Sequence, residues 1–444
     1  MPNPYLAGAH APVSGEITLT DLTVTGELPP ALTGRYLRNG PNPIGEIDPE
    51  TYHWFTGDGM VHGVRLRDGR AEWYRNRWVR GPLAASKLGE AERPESGQAG
   101  LDLAGANTNV LAYAGRTLAL TEGGITNLEL DYELGTVGPC DFDGTLTGGY
   151  TAHPKRDPAT GELHAVSYSF VRGDQVQYSV IGVDGRARRT VDVTVGGPVM
   201  MHDFSLTENY VVLYDLPVTF DLERAMSGEP GIPYSWKPGY RARLGVLPRE
   251  GGDADVRWFD VEACFVFHTL NAYESGDRLI IDLARHPRQF DGDDETDGTI
   301  STLERWTVSL RTGTVTRHAL DDRHQEFPRI DERFVGRRHR YGYTMALTPG
   351  TAALNDTLIK QDLITGTTRS RGFGPGTAIG EFVFEPASAD APEGHGYLLG
   401  FVSRLAEDTT ELAVLDAESL EPVAAVHLPV RIPTGFHGNW LPDR

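Results

Sequence analysis

Four of the 14 histidines in this sequence recur at one position of a repeat. Each follows the tip of a turn by about 17 to 20 residues, and the four are His153, His202, His268 and His437. If every repeat unit folds alike, the four imidazoles converge on one point. Such a cluster suits Fe, Zn, Cu or Ni about equally, so the spacing predicts a metal site without choosing the metal. A closed tetrahedral site of this kind would be structural, whereas a site with an open coordination position could bind a small molecule such as dioxygen.

The remaining histidines share no position of this kind. Two lie inside the repeated segments, three lie in polar or Gly- and Pro-rich stretches, and the others have no common placement. They are His318 and His427, then His286, His339 and His395, and finally His10, His53, His62, His164 and His324. We interpret all of them as structural or solvated side chains.

The repeat that positions the four histidines is a β-hairpin, made of a short apolar strand, a tight turn and a second strand. It occurs seven times, as HGVRLRDGRAEWYRN, NLELDYELGTVGP, SVIGVDGRARRTVDV, GVLPREGGDADVRWFDV, WTVSLRTGTVTRHAL, QDLITGTTRSRGF and AVLDAESLEPVAAVHL. Between successive hairpins there is room for two more strands. Four strands repeated seven times predict an all-β fold, a seven-bladed β-propeller, with a β-sandwich or several small β domains as the alternatives.

The two ends of the chain are predicted to close the ring. A propeller usually joins its ends within one blade, and chain ends otherwise fray. The C-terminal segment GFHGNW would then be the innermost strand of the blade that GRYLRNGP and the first hairpin complete. We therefore expect one propeller domain over residues 1–444, with loops capping the face that carries the active site.

Two glutamates occupy the histidine position in blades that have no histidine there. Glu326 follows the fifth hairpin and Glu381 follows the sixth. A metal-bound imidazole usually donates its other ring N–H to a carboxylate. We therefore expect Glu326 beside His268 and Glu381 beside His437. The alternative is that each is a solvated residue at the start of a strand.

The composition of the chain argues against several kinds of partner and site. The formal net charge of −21 argues against nucleic acid or an anionic membrane surface as the main partner. The two cysteines, Cys140 and Cys264, form no CxxC motif, so a thiolate metal site and a disulfide framework are not expected. The N-terminal residues lack the pattern of a signal peptide, and no apolar run approaches the length of a membrane span. We expect a cytoplasmic protein.

The chain resembles the carotenoid cleavage oxygenases along nearly its whole length, especially their actinobacterial and mycobacterial members. The motifs that carry the resemblance stand in family order and are GRYLRNGPNP, YHWFTGDGMVHGV, NTNVLAYAGRTLALTEGG, TAHPKRDPATGELHAVSY, MHDFSLTENYVVLYDLPV, EFPRID and GFHGNW. The resemblance implies a seven-bladed propeller with Fe(II) on its axis, held by the four histidines. It also implies three supporting glutamates, Glu122, Glu326 and Glu381, which orient His202, His268 and His437 in that order. His153 is left without a carboxylate partner.

The implied reaction is dioxygenase cleavage of a conjugated C=C bond. Both atoms of O₂ add across the double bond, and two carbonyl products result. No general base or nucleophile is required. We expect an apolar tunnel lined by aromatic side chains, with Phe55, Phe267, Phe436 and Trp440 as candidates beside Thr121, although each aromatic residue could equally belong to the core.

The residue directly before Glu122, the first supporting glutamate, bears on the predicted substrate class. Relatives that cleave stilbenes or phenylpropenes resemble one another in carrying a lysine there and a tyrosine upstream, which together engage a phenol. Here the residue is Thr121, and the segment ASKLGEAERPESGQAGLDL contains no tyrosine. This favours a carotenoid or apocarotenoid, with stilbenoids or phenylpropenes such as resveratrol or isoeugenol as the alternative.

Membrane contact is expected to be weak at most. Carotenoid-cleaving relatives often carry long apolar insertions, whereas the matching segment here, DLERAMSGEPGIPYSWKPGYRARL, is short and polar. Its apolar elements are Pro233, Tyr234 and Trp236. The expected partners are a small apolar conjugated substrate and O₂, with no protein partner evident.

Two other functions fit the sequence less well. An interaction scaffold would need no converging histidines, and a zinc hydrolase would need a carboxylate ligand or a base that the sequence does not offer.

Overall fold

The computed structural model describes residues 3–91, 93, 105–227, 231–291, 301–347 and 355–443. Short strands dominate it, numbered here in chain order. The first half of the chain contributes β1 (Thr18–Leu19), β2 (Thr23–Gly26), β3 (Gly34–Pro41), β4 (Gly59–Arg67), β5 (Arg70–Trp78), β6 (Asn109–Tyr113), β7 (Arg116–Leu120), β8 (Asn127–Leu130), β9 (Thr136–Cys140), β10 (Lys155–Arg156), β11 (Leu163–Tyr168), β12 (Gln175–Ile181), β13 (Ala187–Thr194), β14 (Ser205–Leu206), β15 (Tyr210–Asp215) and β16 (Val218–Phe220).

The second half of the chain contributes β17 (Tyr234–Trp236), β18 (Arg243–Pro248), β19 (Arg257–Asp260), β20 (Thr269–Ser275), β21 (Arg278–Arg285), β22 (Thr302–Ser309), β23 (Val315–Asp321), β24 (Gln325–Arg329), β25 (Tyr341–Ala346), β26 (Thr357–Asp362), β27 (Thr367–Gly372), β28 (Thr377–Ile379), β29 (Val383–Pro386), β30 (Gly396–Arg404), β31 (Thr409–Asp416), β32 (Pro422–Leu428) and β33 (Gly438–Pro442). Two short helices, α1 (Pro82–Lys87) and α2 (Leu222–Ser227), interrupt the strands. Within the described ranges, no helix is long and apolar enough to span a membrane.

Seven antiparallel sheets form the blades of a β-propeller, which confirms the predicted fold class. Blades 2, 3, 5 and 6 are the consecutive strands β6–β9, β10–β13, β20–β23 and β24–β27, and blade 4 has the order β14-β15-β18-β19. Blade 1 has the order β1-β5-β4-β3-β33, and blade 7 has the order β2-β32-β31-β30 with β28 and β29 both paired to β30. Every predicted hairpin is a pair of neighbouring strands in one blade.

Both chain ends close the ring. The C-terminal strand β33 pairs with β3, with Gly438 opposite Arg38, as the sequence predicts. The structure adds a second closure, because the N-terminal strand β2 completes the outer edge of blade 7, with Thr23 opposite His427. The chain therefore fastens blades 1 and 7 twice, once at the axis and once at the rim. Apolar side chains of the two blades, including Tyr36, pack in one buried cluster between them.

Polar side chains join the innermost strands of neighbouring blades around the axis. The Asn439 amide in blade 1 donates to Asn109 Oδ1 in blade 2 at 3.1 Å, and the Asn109 amide donates to the Ala152 carbonyl at the start of blade 3 at 2.7 Å. Lys155 in blade 3 forms an ion pair with Asp203 of blade 4 at 2.9 Å, and Asp203 accepts from the Thr269 backbone N–H of blade 5 at 2.8 Å. These bonds fix the short inner strands, of which β10 and β14 have only two residues each.

A partly buried carboxyl in blade 7 makes stability depend on pH. Burial, together with the nearby charges of Glu332 and Asp331, raises the pKa of Glu385 from its ordinary 4.5 to about 7. Because the folded state holds this proton more tightly than the unfolded chain, stability is lost as the pH rises from about 4.5 to 7.

We therefore expect Glu385→Gln to stabilise the protein at pH 8 and not at pH 4.5. A full pKa difference of this size corresponds to at most about 3 kcal/mol, and partial exposure reduces the expected gain to about 1–2 kcal/mol. Urea unfolding of both proteins at the two pH values measures it. An equal gain at both pH values would show that charge is not the cause.

Candidate metal centre

The four histidines lie where the innermost strands of blades 3, 4, 5 and 1 begin. His268 and His437 come directly before β20 and β33, while His153 and His202 precede β10 and β14 by two and three residues. The sequence placed them on these strands, and the structure places them just ahead of the strands. There the chain enters the blade next to the axis, so each imidazole can point inward. None of the four residues is more than 9% exposed.

The four Nε2 atoms converge. His202 Nε2 lies 2.9 Å from His153 Nε2 and 3.3 Å from His268 Nε2, and His268 Nε2 lies 3.1 Å from His437 Nε2. Two nitrogens bound at a right angle to one ion, each at about 2.1 Å, would lie about 3 Å apart. One ligand atom from every member of the group lies within 4.8 Å of the others.

Three glutamates fix the ring orientations. The Nδ1 atom of His202 lies 2.7 Å from Glu122 Oε2, that of His268 lies 2.6 Å from Glu326 Oε2, and that of His437 lies 3.1 Å from Glu381 Oε2. These are the three pairings that the family resemblance implies. Among the described residues no carboxylate bonds His153, whose backbone N–H donates to Thr151 Oγ1 at 3.2 Å.

This arrangement fits a cation. Because three Nδ1–H groups donate to carboxylates, the three Nε2 atoms carry lone pairs directed at one another. Neutral lone pairs that face each other in a buried site repel, and a metal ion satisfies all of them at once. The donor set therefore fits a divalent transition metal held by imidazole nitrogens.

Electrostatics favours the neutral, metal-binding form of His153 and His437. Burial, together with the adjacent imidazoles and Lys155, holds the pKa of His153 well below its ordinary value. Burial also lowers the pKa of His437, although Glu381 partly opposes this. For His202, burial acts in the same direction, but the Glu122 charge outweighs it and raises the pKa. Burial alone would raise the pKa of Glu326, yet the His268 imidazole and its hydrogen bonds lower it strongly, so this carboxylate is ionised.

Each glutamate has a different second donor, and the sequence analysis found none of these donors. The Tyr168 hydroxyl bonds Glu122, and burial above all, with the Glu122 charge, raises the pKa of Tyr168 well above its ordinary value. Glu381 Oε1 accepts from the Gly438 backbone N–H at 2.6 Å and from Arg329 Nη1 at 3.3 Å. Glu326 Oε1 accepts from His286 Nε2 at 3.0 Å.

The position of Arg329 beside Glu381 could not be predicted from the sequence, because it depends on a local irregularity in β24. Residues three apart on a regular strand point to opposite faces, so Glu326 and Arg329 should diverge. The register of β24 against β25 shifts between these two residues, and Phe327 takes a φ of 54° there. This bulge turns both side chains toward the axis. No pattern in the sequence indicates it.

Aromatic residues gather on one side of the histidines. The rings of Phe267 and His202 are 5.3 Å apart and perpendicular, and Phe55 lies 6.4 Å from Phe267 and 5.8 Å from Phe436. The sequence analysis named these three phenylalanines, and the structure adds Phe290, 5.9 Å from Phe267. Phe55 and Phe267 are partly exposed, so their rings are accessible to a ligand.

Trp440 and Thr121 lie elsewhere. Trp440 packs in the apolar cluster between blades 1 and 7 and also lines a cavity that reaches His437, away from the phenylalanines. Thr121 is buried directly before Glu122. The tyrosine-free segment that bears on phenol binding, residues 85–103, falls partly outside the described residues, at positions 92 and 94–103. The structure therefore brings three of the five predicted pocket residues together.

A cavity meets the histidines from the other side. It has a volume of about 980 Å³, reaches His153, His268 and His437, and is lined by charged side chains such as Lys155 and Arg329 together with apolar side chains such as Ile330. Many of the residues that line the cavity come just after one of the histidines in the chain, on the inner strands. Phe267 and Phe436, by contrast, come directly before His268 and His437. Because the inner strands run away from the histidines, the cavity and the aromatic cluster occupy opposite faces of the centre.

The fold and the centre together define a class: propeller proteins in which four imidazoles from different blades meet on the axis and could hold a metal ion. The family model described as retinal pigment epithelial membrane protein matches residues 10–442. A carotenoid cleavage oxygenase of Mycobacterium tuberculosis is 54% identical over 99% of this chain and 98% of its own length. The chain belongs to this carotenoid oxygenase family and is an oxygenase.

Two solved structures are similar to the whole chain. A lignostilbene dioxygenase of Pseudomonas brassicacearum has a TM-score of 0.89 at 31% identity and covers 99% of this chain and 98% of its own. The cobalt-substituted ACO of Synechocystis has a TM-score of 0.86 at 27% identity and covers 97% of each chain. Both likenesses extend over all seven blades.

Proposed function

We propose that this protein is a non-heme Fe(II) dioxygenase that cleaves a conjugated C=C bond of a carotenoid or apocarotenoid with O₂ and yields two carbonyl products. The observation that carries the proposal is the convergence of four imidazole nitrogens beside a partly exposed aromatic cluster. The 54% identity to a carotenoid cleavage oxygenase over nearly the full chain supports the substrate class.

The metal is proposed to be iron, held by His153, His202, His268 and His437. A relative that accepts cobalt supports a site for a first-row transition metal. Bound Fe(II) would supply the activation of O₂ that the alkene needs. Glu122, Glu326 and Glu381 hold three of the rings in one tautomer, with the Nε2 lone pair directed at the metal.

The chain's own contribution to the reaction is orientation. Phe267 stands against His202, and Phe55 and Phe436 continue the aromatic surface away from the centre. A flat conjugated chain that lies along these rings would present one double bond to the metal, because aromatic faces favour stacking with π systems. Proximity of this kind is the main contribution that a protein makes when a cofactor supplies the chemistry.

A second candidate substrate is a stilbenoid or phenylpropene. The similarity to a lignostilbene dioxygenase over the whole chain supports it. Against it stands Thr121 in place of a lysine at the position before Glu122, which removes one group for engaging a phenol.

Product analysis separates the two substrate classes. Fe(II)-loaded protein is incubated in air with a carotene, an apocarotenal, resveratrol and isoeugenol, and the products are identified by mass spectrometry. Aldehydes from a polyene, absent with the His268→Ala variant, would support the proposal and locate the bond. Vanillin or a hydroxybenzaldehyde instead would move the protein to the phenolic class. No product from iron-loaded protein would reject both substrate classes.

Membrane contact is proposed to be weak. On α2, Leu222 and Met226 are 62% and 79% exposed, and Phe170 and Val171 are exposed on another loop. The Phe170 ring stacks on Phe220 at 4.7 Å, which places the two loops side by side. This is a small apolar patch. We expect only partial flotation with phosphatidylcholine liposomes, abolished by Leu222→Ser with Met226→Ser. Tight, salt-resistant flotation of the wild type would contradict the expectation.

A further inference from the structure

Among the three supporting glutamates, Glu326 is the one whose carboxylate lies between two imidazoles. Its carboxylate accepts from His268 Nδ1 at 2.6 Å, from the Phe327 backbone N–H at 2.5 Å and from His286 Nε2 at 3.0 Å. Its side chain is 5% exposed. Two of the three donors are imidazoles on opposite oxygens, so the carboxylate lies between a predicted metal ligand and a second histidine.

The fold fixes His286 in this position. His286 directly follows β21, and its backbone exchanges two hydrogen bonds with Phe265, each 2.9 Å long. Its ring stands perpendicular to Phe267 at 5.3 Å between centroids, and the residue is 5% exposed. The residue is therefore held by its backbone bridge to Phe265 and by the contact of its ring with Phe267. It cannot leave Glu326 without disturbing blade 5.

The three glutamates differ in the donor that supports them. Glu381 contacts the guanidinium of Arg329, a permanent cation that shares the carboxylate's charge. Glu122 contacts the Tyr168 hydroxyl. Glu326 contacts an imidazole, and its bond to His268 is 2.6 Å long, against 3.1 Å for the bond from Glu381 to His437. The bond from Glu122 to His202 is 2.7 Å long, so the bond from Glu326 to His268 is the shortest of the three.

We propose that His286 is a positioning residue of the metal centre, which donates its Nε2–H to Glu326 and thereby fixes the His268 ring for metal binding. The proposal rests on the metal site proposed above. With one oxygen bonded to His268 and the other to His286, the Glu326 carboxylate cannot rotate about its terminal bond. Without His286, the buried Oε1 atom loses its donor, and the carboxylate can turn away from His268 to find another.

Partners that orient a metal ligand typically change metal affinity by about 10- to 100-fold when removed. We therefore expect His286→Leu, which keeps the volume and removes the donor, to weaken Co(II) binding to this extent. His286→Gln restores an N–H donor at nearly the same distance from the backbone, so its affinity should stay within about threefold of the wild type. His286→Asn carries the same amide on a shorter chain and should behave like leucine.

A matched control is available in blade 3. His164 is also a buried histidine at 1% exposure, and its Nδ1 atom lies 2.7 Å from the Tyr178 hydroxyl, with no contact to the four converging histidines. His164→Leu removes a buried imidazole and its hydrogen bond without touching the centre. It shows what loss of packing alone does to metal binding.

The experiment titrates Co(II) into each purified, metal-free full-length protein against a chelator, and records the visible ligand-field spectrum of the loaded form. Weakened binding with an altered spectrum for His286→Leu and His286→Asn, beside wild-type behaviour of His286→Gln and His164→Leu, supports the proposal. Equal affinity for His286→Leu and the wild type, or equal losses for His286→Leu and His164→Leu, would overturn it. Failure of the wild type itself to bind Co(II) would overturn the metal site as well, so the two failures are distinguishable.

If His286→Leu does not fold, the comparison of His286→Gln with His286→Asn decides the question. The two variants differ by one methylene and carry the same donor group. Equal Co(II) affinity in this pair would overturn the proposal, and weaker binding by the asparagine variant would support it.

Discussion

Replacement of His268 by alanine should remove both bound metal and oxidative cleavage. His268 Nε2 lies within 3.3 Å of the Nε2 atoms of His202 and His437, and its loss also removes one of the two imidazoles that bond the buried Glu326 carboxylate. We expect the Fe(II) affinity to fall more than about 100-fold, since removal of an outer partner alone costs about 10- to 100-fold. Metal content after desalting and product formation by mass spectrometry measure the two losses.

His318→Ala serves as the control for the His268 variant, because His318 lies in β23, the outer strand of the same blade, and is exposed. It should keep the wild-type metal content and turnover. A His268→Ala protein that retained one metal ion per chain, with turnover similar to the control, would contradict the four-histidine centre.

Loss of Glu381 should have the largest effect on the stability of the metal-free protein. Its carboxylate is 1% exposed and bonds the Gly438 backbone N–H, His437 and the guanidinium of Arg329, whose side chain is 13% exposed. Glu381→Ala leaves that guanidinium with less compensation inside the fold. Breaking a buried pair in this way costs about 3 kcal/mol or more of the free energy of unfolding. Urea unfolding of chelator-treated protein measures the loss without any contribution from metal.

A double-mutant cycle with Arg329→Met identifies the cause. If the unpaired Arg329 cation accounts for the stability lost in Glu381→Ala, the double variant should lose less stability than the sum of the two single variants, by about 1–3 kcal/mol. Arg329 also bonds Asn439 Oδ1 at 2.7 Å and Glu332 at 2.8 Å, so its own replacement has a separate cost. Strict additivity of the two single effects would show that Glu381 and Arg329 are not energetically coupled.

Local chemistry in the sequence was enough to predict the blades and the convergence of the histidines. Each hairpin carries its own turn signal, such as Asp68-Gly69 and Asp184-Gly185, and both glycines have the positive φ that the turns need. Equal spacing from these turns placed four histidines at one position of the repeat. The same spacing placed Glu326 and Glu381 there, and the closing strand β33 followed from the need to seal the ring.

The residues around the centre were less predictable because they depend on contacts between distant parts of the chain. His286 was set aside for its polar neighbourhood, yet blade 5 carries it to Glu326 in blade 6. Arg329 reaches the axis only through the bulge in β24. Glu122 follows a second strand, outside the repeat position, and was implied only by the family resemblance. Strand β2 crosses to blade 7, which no turn signal indicates.

The most direct test of the account is the fate of labelled dioxygen. Fe(II)-loaded protein is supplied with ¹⁸O₂ and the polyene that it cleaves, and the carbonyl products are reduced at once with borohydride so that exchange with water stops. We expect one ¹⁸O atom in each of the two fragments, and no labelled product from His268→Ala. Label in only one fragment would contradict dioxygenase cleavage, and unlabelled fragments would contradict O₂ as the source of the carbonyl oxygens.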